Sequence, residues 1–162
     1  AESIKALAAF RGVRRRLEVR GTVGGVTVID DFAHHPTAIA TTIAGLRARM
    51  QAGSHPGGRL LAVLEPRSNT MRTGTLKAQL PASLQDADLV FCYAGGIDWD
   101  AQAALAPLGE RVAVFRDMPA LEAAILAAAR PGDQVLVMSN GGFGGIHGRL
   151  LAGLDSRKGN GK

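Results

Sequence analysis

The sequence predicts an α/β fold: a doubly wound, mostly parallel sheet with an N-terminal β-hairpin strand. Apolar runs of strand length alternate along the chain with stretches whose apolar residues recur at helical spacing. Several of those runs, LLAVLE at 60–65 and QVLVMSN at 134–140 among them, lack in-out alternation, as strands covered by helices on both faces do. Three polar or glycine-rich segments directly follow predicted strands, and in such a sheet the ligand crevice lies beyond the carboxyl ends of the strands.

The first element, LEVRGTVGGVTVIDD at 17–31, reads as two strands around Gly24-Gly25, a pair that supplies the positive φ angles of a tight hairpin. A helix follows, with Pro36 suited to its first position, where a missing N–H costs nothing, and Ile39, Ile43, Leu46 and Met50 forming one apolar stripe. LLAVLE is the next strand, then a helical stretch broken near Pro81, the strand DLVFCYAG at 88–95, and a short helix after Asp98. RVAVF at 111–115, an Ala-rich helix from Pro119 to Arg130, the strand QVLVMSN and a final helix from about Phe143 to Leu154 complete a Rossmann-like alternation.

A chain of 162 residues with 46% hydrophobic content is long enough for one core and short for two. Residues 1–154 are therefore expected to form one domain, and the polar end DSRKGNGK, 155–162, a flexible tail. The net charge of +5, from 19 basic against 14 acidic residues, allows anionic partners such as nucleotides. Aromatics are 4% of the chain and no motif interleaves them with basic residues, so no nucleic-acid partner is expected. Cys92 lies in an apolar run and, as the one cysteine, cannot make an internal disulfide, which fits a reducing, cytoplasmic setting. The apolar patch of AESIKALAAFRGVRRR is too short for a secretion signal and precedes its arginines, and no stretch approaches a membrane span, so neither export nor a membrane partner is expected.

DDFAHHP crowds Asp30, Asp31, His34 and His35 at the mouth of an apolar strand. Capping of the helix at Pro36 accounts for one or two of them. Neither the histidine spacing nor a cysteine pair supports a metal here, and none is assigned. Capping does not account for all four, and a ligand role is favoured, since a strand-end carboxylate can accept ribose hydroxyls and an imidazole can bind an anionic oxygen. EPRSNTMR sets Arg67 and Arg72 around Ser68, Asn69 and Thr70; it reads equally as a grip on an acidic substrate and as a solvated turn. SNGGFGGIHG brings Gly141, Gly142, Gly144 and Gly145 between a strand and a helix, with Ser139, Asn140 and His147 at its borders. Such a turn either lets backbone amides approach an anion or packs tightly against a neighbouring loop. It is not a dinucleotide fingerprint, because His147 stands where the register from Gly142 needs a third glycine, and no GK[ST] occurs anywhere. RRRLEV at 14–19 is either a solvated edge or, beside the Asp31 strand, a phosphate contact.

Together these segments resemble the C-terminal domain of the Mur ligases, ATP-dependent enzymes that join amino acids or peptides to UDP-N-acetylmuramate. DDFAHHP is similar to the family's D-[YF]-x-H-x-P segment and RRLEV to its arginine-plus-acid strand. EPRSNTM with MSNGGFGGIH resembles the branch that attaches the tripeptide L-alanyl-γ-D-glutamyl-meso-diaminopimelate in cell-wall recycling, and the likeness runs from about residue 4 to residue 154. The resemblance implies that Arg16 contacts an ATP phosphate, that Asp31 holds the ribose hydroxyls, and that His34 is the catalytic candidate at the substrate junction, with His35 beside it. It also implies that Arg67, Ser68, Asn69 and Thr70 face the incoming amino substrate, and that the turn from Ser139 through Asn140, Gly141 and Gly142 to His147 contacts it. Charge complementarity places Arg67 or Arg72 on a tripeptide carboxylate.

The chemistry so implied is carboxylate activation: ATP phosphorylates the lactyl carboxylate, the tripeptide amine attacks the acyl phosphate, and phosphate leaves. The chain has no GxxGK[ST] loop and no unit to bind a UDP-sugar, so ATP and Mg²⁺ are expected mainly on a central domain. The N-terminal and central domains of the same ligase are the expected partners, UDP-N-acetylmuramate and the murein tripeptide the substrates, and this domain is expected to be inactive alone. The competing reading from another class is a non-catalytic α/β module that binds a nucleotide or an anionic peptide.

Overall fold

The computed structural model describes residues 16–53, 58–66, 74–95, 97, 100–139 and 141–160. Its strands are β1 (Glu18–Val23), β2 (Val26–Asp31), β3 (Leu60–Leu64), β4 (Leu89–Tyr93), β5 (Val112–Phe115) and β6 (Gln134–Met138). They form one six-stranded sheet in the order β1-β2-β6-β3-β4-β5, with β1 antiparallel to β2 and the remaining pairs parallel. The helices are α1 (Pro36–Ala52), α2 (Gly74–Ser83), α3 (Ala101–Ala104), α4 (Met118–Ala128) and α5 (Ile146–Asn160). The mostly parallel, doubly wound sheet with its hairpin strand is as the sequence predicts. No helix among the described residues is long and apolar enough to cross a membrane.

Burial of β3 explains why its sequence shows no alternation. Leu60, Ala62 and Leu64 pack with Ile39, Ile43 and Leu46 of α1 and with Leu80 of α2, whereas Leu61 and Val63 pack with Leu121 and Ile125 of α4 and Leu150 of α5. Both faces are covered, so every position is apolar. The predicted stripe of α1 is the buried one, Ile39, Ile43, Leu46 and Met50, with Pro36 at its start. In the hairpin, Gly24 (φ 60°) and Gly25 (φ 82°) both take the left-handed conformation that lets a two-residue turn match strand twist.

Chain direction decides where a ligand can sit. From β3 the chain steps outward to β4 and β5, with α2 and α3 on one face of the sheet; α4 then returns it on the other face and inserts β6 between β2 and β3. The carboxyl ends of β2, β6 and β3 therefore lie side by side where the winding reverses, the location that favours binding in open α/β sheets. The opposite edge is tied by two carboxylates. Asp133 accepts from Arg59 Nη2 (2.8 Å) and the Arg130 N–H (2.8 Å), and Asp88 accepts from Arg47 Nη2 (2.6 Å) and the Leu60 N–H (2.7 Å).

Some boundaries differ from the sequence expectation. Helix α2 runs through Pro81 and ends at Ser83 instead of breaking at the proline. Leu80 and Leu84 on either side are fully buried, and core packing offsets the one helical hydrogen bond proline cannot donate. The short helix after Asp98 begins at Ala101, with the Asp100 carboxylate accepting the Ala103 N–H at 3.0 Å. The last helix is preceded by a 3-10 turn, Phe143–Gly145, and continues to Asn160, so residues 155–160 of the expected tail are helical. Arg157 accounts for the extension: it donates to the carbonyl oxygens of Leu126 and Ala129 at the end of α4.

Candidate functional site

Adjacent residues of a strand point to opposite faces, so Asp30 and Asp31 are assigned to different layers. Asp31 turns towards α1. Its Oδ2 accepts the Leu17 N–H at 2.9 Å, and its Oδ1 accepts the Ala33 N–H at 2.9 Å and the Thr42 hydroxyl at 3.3 Å. The residue is 5% exposed. Leu17 has a φ of 49°, uncommon for a non-glycine residue, and its bond to Asp31 helps hold it there. Next to it, the exposed Arg16 guanidinium stacks 5.7 Å from the centroid of the Phe32 ring.

Asp30 turns to the α5 layer, where its Oδ1 accepts from His147 Nε2 at 2.9 Å and Arg20 Nη1 approaches its Oδ2 at 3.7 Å. A carboxylate only accepts, so Nε2 of His147 carries the proton. Both partners are buried, Asp30 at 2% and His147 at 5% exposure, which fixes His147 within the fold next to the glycine turn. His34 is half-buried and its Nδ1 donates to the Phe32 carbonyl at 3.0 Å, leaving Nε2 as the acceptor nitrogen of the neutral ring. His35 is exposed, its ring lies tilted by 41° against His34 with centroids 4.4 Å apart, and it caps α1 through its carbonyl, which accepts the Ile39 N–H at 2.8 Å. Side-chain capping of α1, the plain alternative raised by the sequence, does not occur at His35.

The three polar segments meet at one rim through their first residues. The Ser139 N–H donates to the Asp31 carbonyl and the Glu65 N–H to the Met138 carbonyl, each at 3.1 Å. Ser139 Oγ donates to Glu65 Oε1 at 2.5 Å and accepts the Gly141 N–H at 3.0 Å. One network thus joins the ends of β2, β6 and β3. Beyond it, Gly142 opens the 3-10 turn and accepts the Gly145 N–H at 3.1 Å. Phe143, Gly144 and Gly145 have φ of 51°, 59° and 72°; the buried Phe143 anchors the turn beneath Tyr93, ring centroids 6.1 Å apart. Arg67, Ser68, Asn69, Thr70, Arg72 and Asn140 lie outside the described residues.

The sequence reading missed Glu65 as a site residue. Its signal is the one that marked Asp30 and Asp31: an acid as the first polar residue after an apolar run that ends at the crevice. Among the described residues, no group of three or more His, Cys, Asp or Glu side chains is placed to hold a metal ion. The rim instead offers an exposed guanidinium and an imidazole for anionic oxygen, and carboxylates for donors.

Comparison with known proteins identifies the family. Residues 15–141 match the family model described as Mur ligase, glutamate ligase domain. The chain is 47% identical over 155 residues to the UDP-N-acetylmuramate–L-alanyl-gamma-D-glutamyl-meso-2,6-diaminoheptandioate ligase of Escherichia coli K12, an alignment covering 95% of this chain and 33% of the relative. It thus spans about a third of the length of the curated relatives it matches. A crystal structure of a domain assigned to the corresponding ligase of Haemophilus ducreyi 35000HP superposes with a TM-score of 0.72 at 46% identity, covering 86% of this chain and 99% of that one. The murein peptide ligase of Psychrobacter arcticus 273-4 gives a TM-score of 0.77 at 38% identity, covering 88% of this chain and 30% of that one. With residues 15–141 matched by the family model and most of its length aligned to these relatives, the chain belongs to the Mur ligase family as a C-terminal, glutamate ligase domain.

Proposed function

We propose that this domain is the closing half of an ATP-dependent amide-bond ligase that joins L-alanyl-γ-D-glutamyl-meso-diaminopimelate to UDP-N-acetylmuramate in peptidoglycan recycling. The observation that carries the reading is the hydrogen-bonded rim on which the ends of β2, β6 and β3 meet. The likeness to relatives named for this reaction supports the choice of substrate. ATP and the activated muramoyl carboxylate would be held mainly by a central domain, together with Mg²⁺, and this rim would close over them.

The residues present fit that task. Arg16, exposed and braced by Phe32, can bind a phosphate oxygen. A carboxylate has about four acceptor directions; the described donors to Asp31 take three, so a ribose hydroxyl can use another while the protein holds the group still. His34 presents Nε2 of a fixed tautomer at the junction of the two substrates. ATP would transfer its terminal phosphoryl group to the muramoyl carboxylate, giving an acyl phosphate and ADP. The neutral amine forms its bond to the acyl carbon, phosphate leaves with the C–O bond electrons, the nitrogen releases its proton to solvent or phosphate, and the domain contributes orientation and exclusion of water.

The test is a ligation assay with ATP, UDP-N-acetylmuramate and the tripeptide, in which this domain is added to a separately produced fragment carrying the N-terminal and central domains. Phosphate release and product only when both are present is the expected result. Turnover by this domain alone, or no product from two folded fragments that bind each other, would refute the proposal.

A further inference from the structure

We propose that Glu65 binds a primary ammonium group of the incoming peptide, and that Ser139 is its positioning residue. The inference rests on the ligase reading above and names which rim group meets the amino substrate.

Position is the first ground. Glu65 is the residue that leaves β3, next to β6, and its N–H is already committed to the Met138 carbonyl, so its side chain starts from a fixed backbone. Prior commitment of the alternatives is the second. Asp31 already accepts from Leu17, Ala33 and Thr42 and keeps at most one direction, assigned above to a ribose hydroxyl, and Asp30 is turned away to His147. Glu65 instead spends Oε1 on the Ser139 hydroxyl at 2.5 Å, while Oε2 has no partner among the described residues. No cation among the described residues pairs with it either, although the residue is only half-exposed.

A carboxylate with one oxygen locked and the other without a partner among the described residues selects a compact cation donor. An ammonium, with three N–H donors on a small charge, fits that requirement. Ser139 supplies the lock: fully buried, its hydroxyl accepts the Gly141 N–H and donates to Glu65, so the glycine turn sets the carboxylate's direction. The proposed substrate carries two such groups, the α-ammonium, whose nitrogen attacks as the neutral amine after giving up a proton, and the distal ammonium of diaminopimelate.

The experiment uses the full-length ligase and steady-state kinetics with Glu65→Gln, which keeps size and one acceptor oxygen but removes the charge. The tripeptide KM is expected to rise roughly 10- to 100-fold, the loss of one charge-assisted hydrogen bond, with the ATP KM unchanged. Glu65→Asp should recover part of the loss, and Ser139→Ala should raise the same KM less. A second peptide, with 2-aminopimelate in place of diaminopimelate, separates the two ammonium groups. If the distal one is bound, the wild type loses affinity for this peptide and Glu65→Gln does not; if the α-ammonium is bound, both peptides suffer alike in the variant. An unchanged tripeptide KM in a Glu65→Gln enzyme that still turns over would refute the assignment while leaving the ligase reading intact. A folded wild-type enzyme with no ligation at all would overturn both.

Discussion

Asp31→Asn is the perturbation that best separates architecture from substrate binding at the rim. The carboxylate is 5% exposed and accepts two backbone N–H groups at 2.9 Å and the Thr42 hydroxyl at 3.3 Å. An amide of the same size keeps one acceptor oxygen, so its NH₂ must face either the Leu17 or the Ala33 N–H. A hydrogen bond to a charged group contributes about 1.5–3 kcal/mol, and a buried donor left without a partner costs about 1–3 kcal/mol. A net loss of about 2–4 kcal/mol follows. For a domain of this length each kcal/mol moves Tm by about 2–4 °C, so thermal unfolding followed by circular dichroism should show a fall of roughly 5–15 °C. Thr42→Val, which removes only the longest bond, should cost less than about 1 kcal/mol. An Asp31→Asn domain that melts within about 2 °C of the wild type would mean that the network is not the structural clamp described, and that Asp31 is held for its ligand alone.

Three further outcomes follow from other parts of the fold. Asp133→Ala removes the acceptor of Arg59 and of the Arg130 N–H from a site 2% exposed, and should destabilise the domain by about 3 kcal/mol, read as a lower urea midpoint. The hydrogen bond to Asp133 raises the Arg59 pKa above its ordinary value, so in the native domain the pair is a charged one, and the substitution leaves a cation without its acceptor. Gly25→Ala meets Pro131 Cβ at 3.0 Å and keeps a φ of 82°, so it should lower stability by about 1–3 kcal/mol, whereas Gly24→Asn, at φ 60° with open space around it, should change the midpoint little. Burial pushes the Cys92 thiol from 9.0 up to about 12. The fold thus favours the neutral thiol, so its contribution is complete below about pH 9 and is lost as pH rises towards 12. The native domain should resist thiol reagents at pH 8 and react once unfolded; rapid labelling of native protein would contradict the burial.

The fold was legible wherever one physical signal dominated. LLAVL has no polar position because both its faces are covered, and that alone placed β3 inside the sheet. Gly24-Gly25 announced the hairpin because few other pairs tolerate two left-handed residues. Pro81 misled, since proline's local cost was outweighed by the burial of Leu80 and Leu84, a tertiary term with no trace in a short window. The helical course of 155–160 was hidden for the same reason: it depends on Arg157 reaching carbonyls of a helix some 30 residues away. At the site, composition located the rim but could not distribute its side chains. DDFAHHP reads as one polar cluster, and only the pleat of β2 divides it.

That division explains why so much polarity can be buried at the mouth of an apolar strand. Because β2 is covered on both sides, each of its two terminal acids enters a different layer and needs its own donors there. Asp31 finds them in Leu17, Ala33 and Thr42, and so fastens the rim to α1 and to the chain entering β1; Asp30 finds His147, and so fastens it to α5. The pair braces the central strands from both faces, and the Ser139 N–H on the Asp31 carbonyl carries the same rigidity into β6 and the glycine turn. Under the proposed function such rigidity is an advantage, because a closing domain whose contact groups were ordered only on contact would consume the binding energy meant for the substrates. The acids that look most available for a ligand in the sequence are therefore largely occupied in holding the rim, and under the proposal above it is Glu65, whose Oε2 has no partner among the described residues, that meets the ammonium.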